Sequence, residues 1–291
     1  MSMRPATRGI LWMSASELVF VAAWASIKIL GRHLPLFEVT LFRAASSLAL
    51  LVPLVWWQHG SFRGRAWKTL FWRAFFGYIA MLLSFYSMIH MDIGNASTLI
   101  NTMPIFVAVL APITLRERFS RSQFALVALS FGGVALLLKA DAGVFDSVAA
   151  FALLAALFAA LAMLCLRKLR SSDSALIITF YFTAFSTVAS LPLGIAEYVR
   201  PTPFEWWLVA LIGVSATLGQ IFLSKAYKLG NAATIAPFAY VAVIGCYAAG
   251  ILVFGEIPDL WSIAGAAIII ACGIGIMLLA PSAQHAAEEV A

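Results

Sequence analysis

Apolar residues run almost unbroken along this chain for stretches of about 20 residues, the length that crosses the hydrocarbon of a bilayer as a helix. Ten such runs stand between short connections: roughly 9–30, 36–58, 66–89, 93–114, 121–139, 145–168, 174–198, 204–227, 231–254 and 259–280. Gly, Pro and Ser punctuate many of the connections, as in "GRHLP", "GSFRGR", "KADAG" and "RPTP". The pattern predicts an all-α polytopic membrane protein with ten transmembrane helices. The first run is followed too quickly by others to read as a removed signal peptide, and no small-x-small cleavage site stands out.

Polar residues inside the runs fall at helical spacing. In span one, Ser14, Glu17, Val21, Trp24 and Lys28 share one face, and both charges of the span lie on it. Glu17 sits on the order of 13 Å from the start of the span at 1.5 Å per residue. An ionisable group at that depth costs about 3 kcal/mol on insertion scales, so the face is expected to meet a cavity or a partner. Arg73 enters span three from the same side to a similar depth, which leaves two readings for Glu17: coupling or substrate contact in a cavity, or a structural ion pair with Arg73. Span three shows Arg73, Gly77, Ala80, Ser84 and Ser87 in register, and span eight shows Gly213, Thr217, Gln220, Ser224 and Tyr227. Such faces serve close helix packing, but Ser84 and Gln220 lie mid-span and are candidates for substrate contact. Pro104 and Pro237 predict breaks in spans four and nine, near Asn101, Thr102 and Tyr240. Trp24, Tyr78 and Tyr240 lie deep enough to stack on a planar substrate or to pack the core. Trp56, Trp57, Trp67, Trp72, Trp206 and Trp207 sit near span ends and read as interfacial anchors.

Parts of the chain repeat. "IGNASTLINT" (93–102) is echoed by "LGNAATIAPF" (229–238), with Gly94 and Gly230 separated by 230 − 94 = 136 residues. Three residues further apart, Pro53-Leu54 meets Pro192-Leu193 and Glu117 meets Glu256. A duplicated five-helix unit accounts for this, with residues 1–142 as the first copy, 143–281 as the second and 282–291 as a tail. Because five is odd, the second copy enters the membrane inverted, the arrangement of secondary transporters with a site near the midplane.

Charge changes the picture in one respect. Only 11% of residues are charged, against about 25% in soluble domains, and the net +6 is explained by topology, not by nucleic acid. With the N-terminus inside, thirteen Lys and Arg fall on inside segments and three (Arg32, Lys139, Arg200) outside; Lys28, Arg43 and Arg73 lie within spans. This bias places both termini in the cytoplasm. Cys165, Cys246 and Cys272 lie in apolar runs without CxxC spacing and read as core residues. Metalloprotease, serine-hydrolase and P-loop motifs are lacking. The four histidines avoid the span interiors, so an intramembrane enzyme or an ATP-driven pump is poorly supported, and no cofactor or metal is expected.

The chain resembles the EamA-type members of the drug/metabolite transporter superfamily. The likeness rests on "WASIKILGRHLPLFEVTLFRAA" with Trp24, Lys28, Pro35 and Arg43, on "LRERFSRSQ" with "GGVALL", and on "FGEIPDLWSIAGAAIIIACGIGIMLL". The second half departs from it in having Phe182 opposite Arg43. The resemblance implies a bacterial inner-membrane exporter that acts by alternating access on a small-molecule substrate, with aromatic amino acids the leading class. It implies spans one, three, four, six, eight and nine around the cavity, with spans five and ten outside it. The site residues expected are Glu17, Trp24, Tyr78, Ser84, Asn101, Gln220 and Tyr240, in a monomer whose only other partner is lipid. A multidrug or nucleobase exporter of the same fold, or a scaffold that transports nothing, are the alternatives.

Overall fold

The computed structural model describes residues 5–115, 121–139, 147–169, 172–229 and 235–279, and none of these is in a strand. The helices are α1 (Pro5–Leu30), α2 (Leu36–His59), α3 (Trp67–His90), α4 (Ile93–Ile100), α5 (Met103–Leu115), α6 (Arg121–Lys139), α7 (Ser147–Leu169), α8 (Ala175–Ala196) and α9 (Pro203–Leu229). A 3-10 turn (Ala236–Tyr240) leads into α10 (Val241–Ala249), a π-helical turn (Gly250–Phe254) follows, and α11 (Leu260–Leu279) ends the described fold. Together they form ten segments long and apolar enough to cross a membrane.

Local chemistry sets the ends. Gly60 closes α2 in the left-handed conformation, φ 62°, and donates to the Trp56 carbonyl. Ser174 caps α8 by accepting from the Ile177 amide at 3.3 Å. Span four breaks at Asn101–Thr102, and Pro104 stands in the first turn of α5, where its missing N–H costs nothing. Pro237 likewise opens the 3-10 turn of span nine. All six tryptophans read as anchors are exposed.

Four helix pairs form most of the bundle: α1 with α9, α3 with α7, α2 with α8 and α6 with α11. Without a hydrophobic drive between helices in lipid, close approach of small residues holds them. On α7, Ala149, Ala152, Ala155, Ala156 and Ala160 are buried. Between α6 and α11 the backbones touch: a Cβ on Gly265 would lie 2.6 Å from the Gly133 carbonyl oxygen. Four pairs of helix ends share one separation: 169 − 30, 175 − 36, 229 − 90 and 260 − 121 each equal 139. That is the spacing of Pro53 and Pro192, both inside helices, and three residues longer than the Gly94–Gly230 echo. Residues 230–234 of the echo, like Glu117, lie outside the described residues.

Candidate functional site

At one end of the bundle, the last turn of α1 delivers Lys28 into a polar cluster the sequence reading did not assemble. Lys28 is buried and ion-paired with Glu256, from the connection between the π turn and α11. It also donates to the Met91 carbonyl at 2.7 Å, while Glu256 Oε2 accepts from the Ile93 amide at 2.9 Å. Gly255, at φ 71°, turns the chain so that Glu256 faces back toward span four. The Phe254 ring lies 5.2 Å from Lys28 Nζ and 5.3 Å from Arg32 Cζ. One ion pair therefore ties α1, the α3–α4 turn and span nine together. The signal was present in the sequence, as a lysine near the end of span one and a repeat-related glutamate, but nothing in spacing joins residues so far apart.

Next to it runs a seam between α4 and α10 built on the first copy of the echo. Tyr247 donates to Asn95 Oδ1 at 2.8 Å, and Thr98 lies 3.4 Å from the Tyr247 hydroxyl. Gly94 is required here: a Cβ would fall 2.3 Å from the Tyr247 ring. Asp92, Gly94, Tyr247, Gly250, Glu256 and Pro258 line a crevice too narrow to admit a water molecule. Glu17 is buried one turn before Val21, which packs with Ile93, Ala242 and Cys246. Among the described residues it makes no hydrogen bond or ion pair.

The expected Glu17–Arg73 pair does not form. The first half of α1 lies along α9, whereas the Arg73 side chain runs along α3 past Gly77 to the face of Phe182 on α8, 4.5 Å from the ring centroid. Its Nε and Nη1 are buried without a hydrogen-bond partner. Arg43, from α2, lies 5.7 Å from the same ring and 5.8 Å from Phe85, with Nη1 2.8 Å from Met81 Sδ.

The remaining expected residues are placed unevenly. Asn101 and Tyr240 come together at the two helix breaks, the Tyr240 hydroxyl donating to the Asn101 carbonyl at 3.3 Å. Tyr78 is buried, 3.0 Å from Ser190 Oγ and edge-on to Phe185. Trp24 packs between the core around Tyr78 and the cluster around Cys246. Ser84 is half-buried and makes no polar contact among the described residues. Gln220 is exposed, and its neighbour Gly219 is the residue that meets α1, against Phe20 and the Ser16 hydroxyl.

At the opposite end, Asp173 joins the turn before α8 to the start of α3, accepting from the amides of Arg65 at 2.7 Å and Ala66 at 3.2 Å. Burial works against its charge, but these bonds and one from Ser172 outweigh it and hold the carboxyl below its ordinary range. Among the described residues, no three His, Cys, Asp or Glu side chains gather as metal ligands.

Known proteins place this arrangement. The family model for EamA-like transporters matches twice, over residues 7–139 and 146–279. The chain is 31% identical over 271 residues to the pseudopaline exporter CntI of Pseudomonas aeruginosa, covering 92% of this chain and 95% of that protein. It is 28% identical over 269 residues to an S-adenosylmethionine uptake transporter of Rickettsia prowazekii, covering 90% of each. A solved crystal structure shares the fold at a TM-score of 0.61 and 16% identity, over 94% of this chain and 95% of that one. Neither named relative is an aromatic amino acid exporter. The chain belongs to the EamA-like transporter family and is a multi-pass membrane transporter of small molecules, not an enzyme.

Proposed function

We propose that this protein exports small zwitterionic metabolites across the bacterial inner membrane, with both termini in the cytoplasm, by alternating access between two inverted five-helix halves. The observation that carries the reading is the Lys28–Glu256 pair, which joins the first half to the second at one end of the bundle. The common separation of 139 residues supports two equivalent halves. At that separation the residues corresponding to Lys28 and Glu256 are Arg167 and Glu117, again a cation and a carboxylate. A carrier that closes one end with one pair and the other end with its counterpart needs this chemistry twice.

Export is favoured over uptake by the more similar of the two named relatives. The aromatic preference gains nothing from the relatives' names, so amino-acid-like zwitterions are the broader class proposed. A scaffold would need neither the buried charges nor the paired helix breaks. The test is accumulation in proteoliposomes across amino acids, purines and organic cations under an imposed proton gradient. Uptake of an amino acid above protein-free vesicles is expected. Flat traces for every compound, from protein shown to be folded, would refute the carrier.

A further inference from the structure

We infer that Arg43 and Arg73, converging on the Phe182 ring, form the subsite that binds a carboxylate of the transported molecule. The inference deepens the carrier reading and rests on it. Arg43 is the eighth residue of α2 and Arg73 the seventh of α3. These helices run in opposite directions, so the two side chains approach from opposite ends and meet deep in the bundle against one ring.

Three observations point to a ligand. First, two nitrogens of the Arg73 guanidinium, Nε and Nη1, are buried and unpartnered. Neither arginine has an acidic partner: the ion pairs among the described residues are Lys28–Glu256 and His33–Glu205. A buried cation in a membrane protein without its anion is expensive and marks function. Second, the fold makes room for it. A Cβ on Gly77 would lie 2.7 Å from Arg73 Nη1 and 3.1 Å from Phe182, so glycine leaves room for the guanidinium against the ring. Third, the place is right. Phe182 stands 182 − 43 = 139 residues after Arg43, the separation of the helix ends, and the two side chains touch. Repeat-related residues that touch lie beside the axis relating the halves, where an inverted-repeat carrier holds its substrate.

Guanidinium forks match a carboxylate, and an aromatic face covers the apolar body next to it. The expected ligand is therefore a small carboxylate with an apolar or planar portion. Arg43→Gln and Arg73→Gln remove the charge and leave a shorter polar side chain.

The probe is benzoate, with benzamide as the neutral control, added to the full chain in a non-ionic detergent at fixed ionic strength. Thermal unfolding is the readout. Benzoate is expected to raise the wild-type midpoint in a saturable way and benzamide to leave it unchanged. Arg73→Gln is expected to weaken benzoate about tenfold or more, the loss of one charge-assisted hydrogen bond, and to unfold no earlier without ligand, because an orphaned cation has gone. Gly77→Ala, which keeps both arginines but displaces one, is expected to weaken benzoate as well. Equal shifts from benzoate and benzamide overturn the subsite, as does a benzoate shift that survives in Arg43→Gln/Arg73→Gln. Transport without benzoate binding counts against the subsite alone; benzoate binding without transport of any compound counts against the carrier.

Discussion

Replacing Glu256 by Gln should unlock the Lys28 end of the bundle. The amide keeps an oxygen for the Ile93 N–H, so the turn before α11 can hold its place, but the charge facing Lys28 is gone. Lys28 retains only the Met91 carbonyl and the Phe254 ring, and its side chain is 8% exposed. Breaking a buried pair by removing one partner costs about 3–5 kcal/mol. The lower figure fits here, because a carbonyl and a ring remain. If that cost applies only when this end is closed, about 3 kcal/mol moves the open–closed balance roughly a hundredfold, at 1.4 kcal/mol per decade. Cys246 reports it: fully buried behind the latch and packed with Val21 and Ile93, it should react with an impermeant maleimide only when this end opens. With Cys165 and Cys272 changed to Ser, labelling of the Glu256→Gln protein should be roughly two decades faster than that of Glu256. Exchanging the charges, Lys28→Glu with Glu256→Lys, restores the ion pair but sets a carboxylate against the Met91 carbonyl and an ammonium against the Ile93 N–H, so it should slow labelling only in part. An unchanged rate in Glu256→Gln would refute the latch.

Other substitutions probe separate links. Glu17→Gln should fold and bind substrate yet lose accumulation driven by a pH gradient while keeping exchange; unchanged gradient-driven accumulation in proteoliposomes would remove Glu17 from coupling. Asp173, held below its ordinary range by hydrogen bonds, stabilises the α2–α3 connection above its unfolded pKa, and that contribution is lost as pH falls through the lower folded value. Proteolysis within residues 60–66 should therefore accelerate in acid, and Asp173→Asn should be fast already at neutral pH and no longer respond to it. Gly265→Ala forces a Cβ to 2.6 Å from one backbone atom and 2.8 Å from another, so α6 and α11 must separate at a cost of about 1–3 kcal/mol, visible as a lower midpoint of unfolding. Labelling of the chain end from the cytoplasmic side, and of residue 141 from the other, should give the topology that the charge bias implies.

The ten spans were legible because a bilayer imposes one length on every element, and length is written in the sequence directly. The breaks at Asn101–Thr102 and before Tyr240 were legible for a similar reason, since Pro104 and Pro237 each lack a donor. Partnership was not. Helical spacing put Glu17 and Lys28 on one face of α1, but it says nothing of which helix that face meets. Depth alone suggested Arg73 as the partner of Glu17, whereas α1 lies along α9, and Gly77 lets Arg73 turn toward Phe182. Gln220 was chosen as a mid-span polar residue; the packing of α9 on α1 is set by Gly219, one position away and 100° around the helix.

The π turn at Gly250–Phe254 gives span nine a slack residue just where the latch begins. A π turn holds about one residue more than an α turn. If it relaxed to an α turn, everything beyond it would swing by about 100° and shift by 1.5 Å. Glu256 stands only two residues past it, so that small rewinding would turn the carboxylate away from Lys28 while α10 stayed seated against α4. The end of span nine can thus act as a ratchet tooth, engaging or missing its catch by one residue of winding, and deletion of Leu252, which removes the slack residue, would fix it in the engaged position.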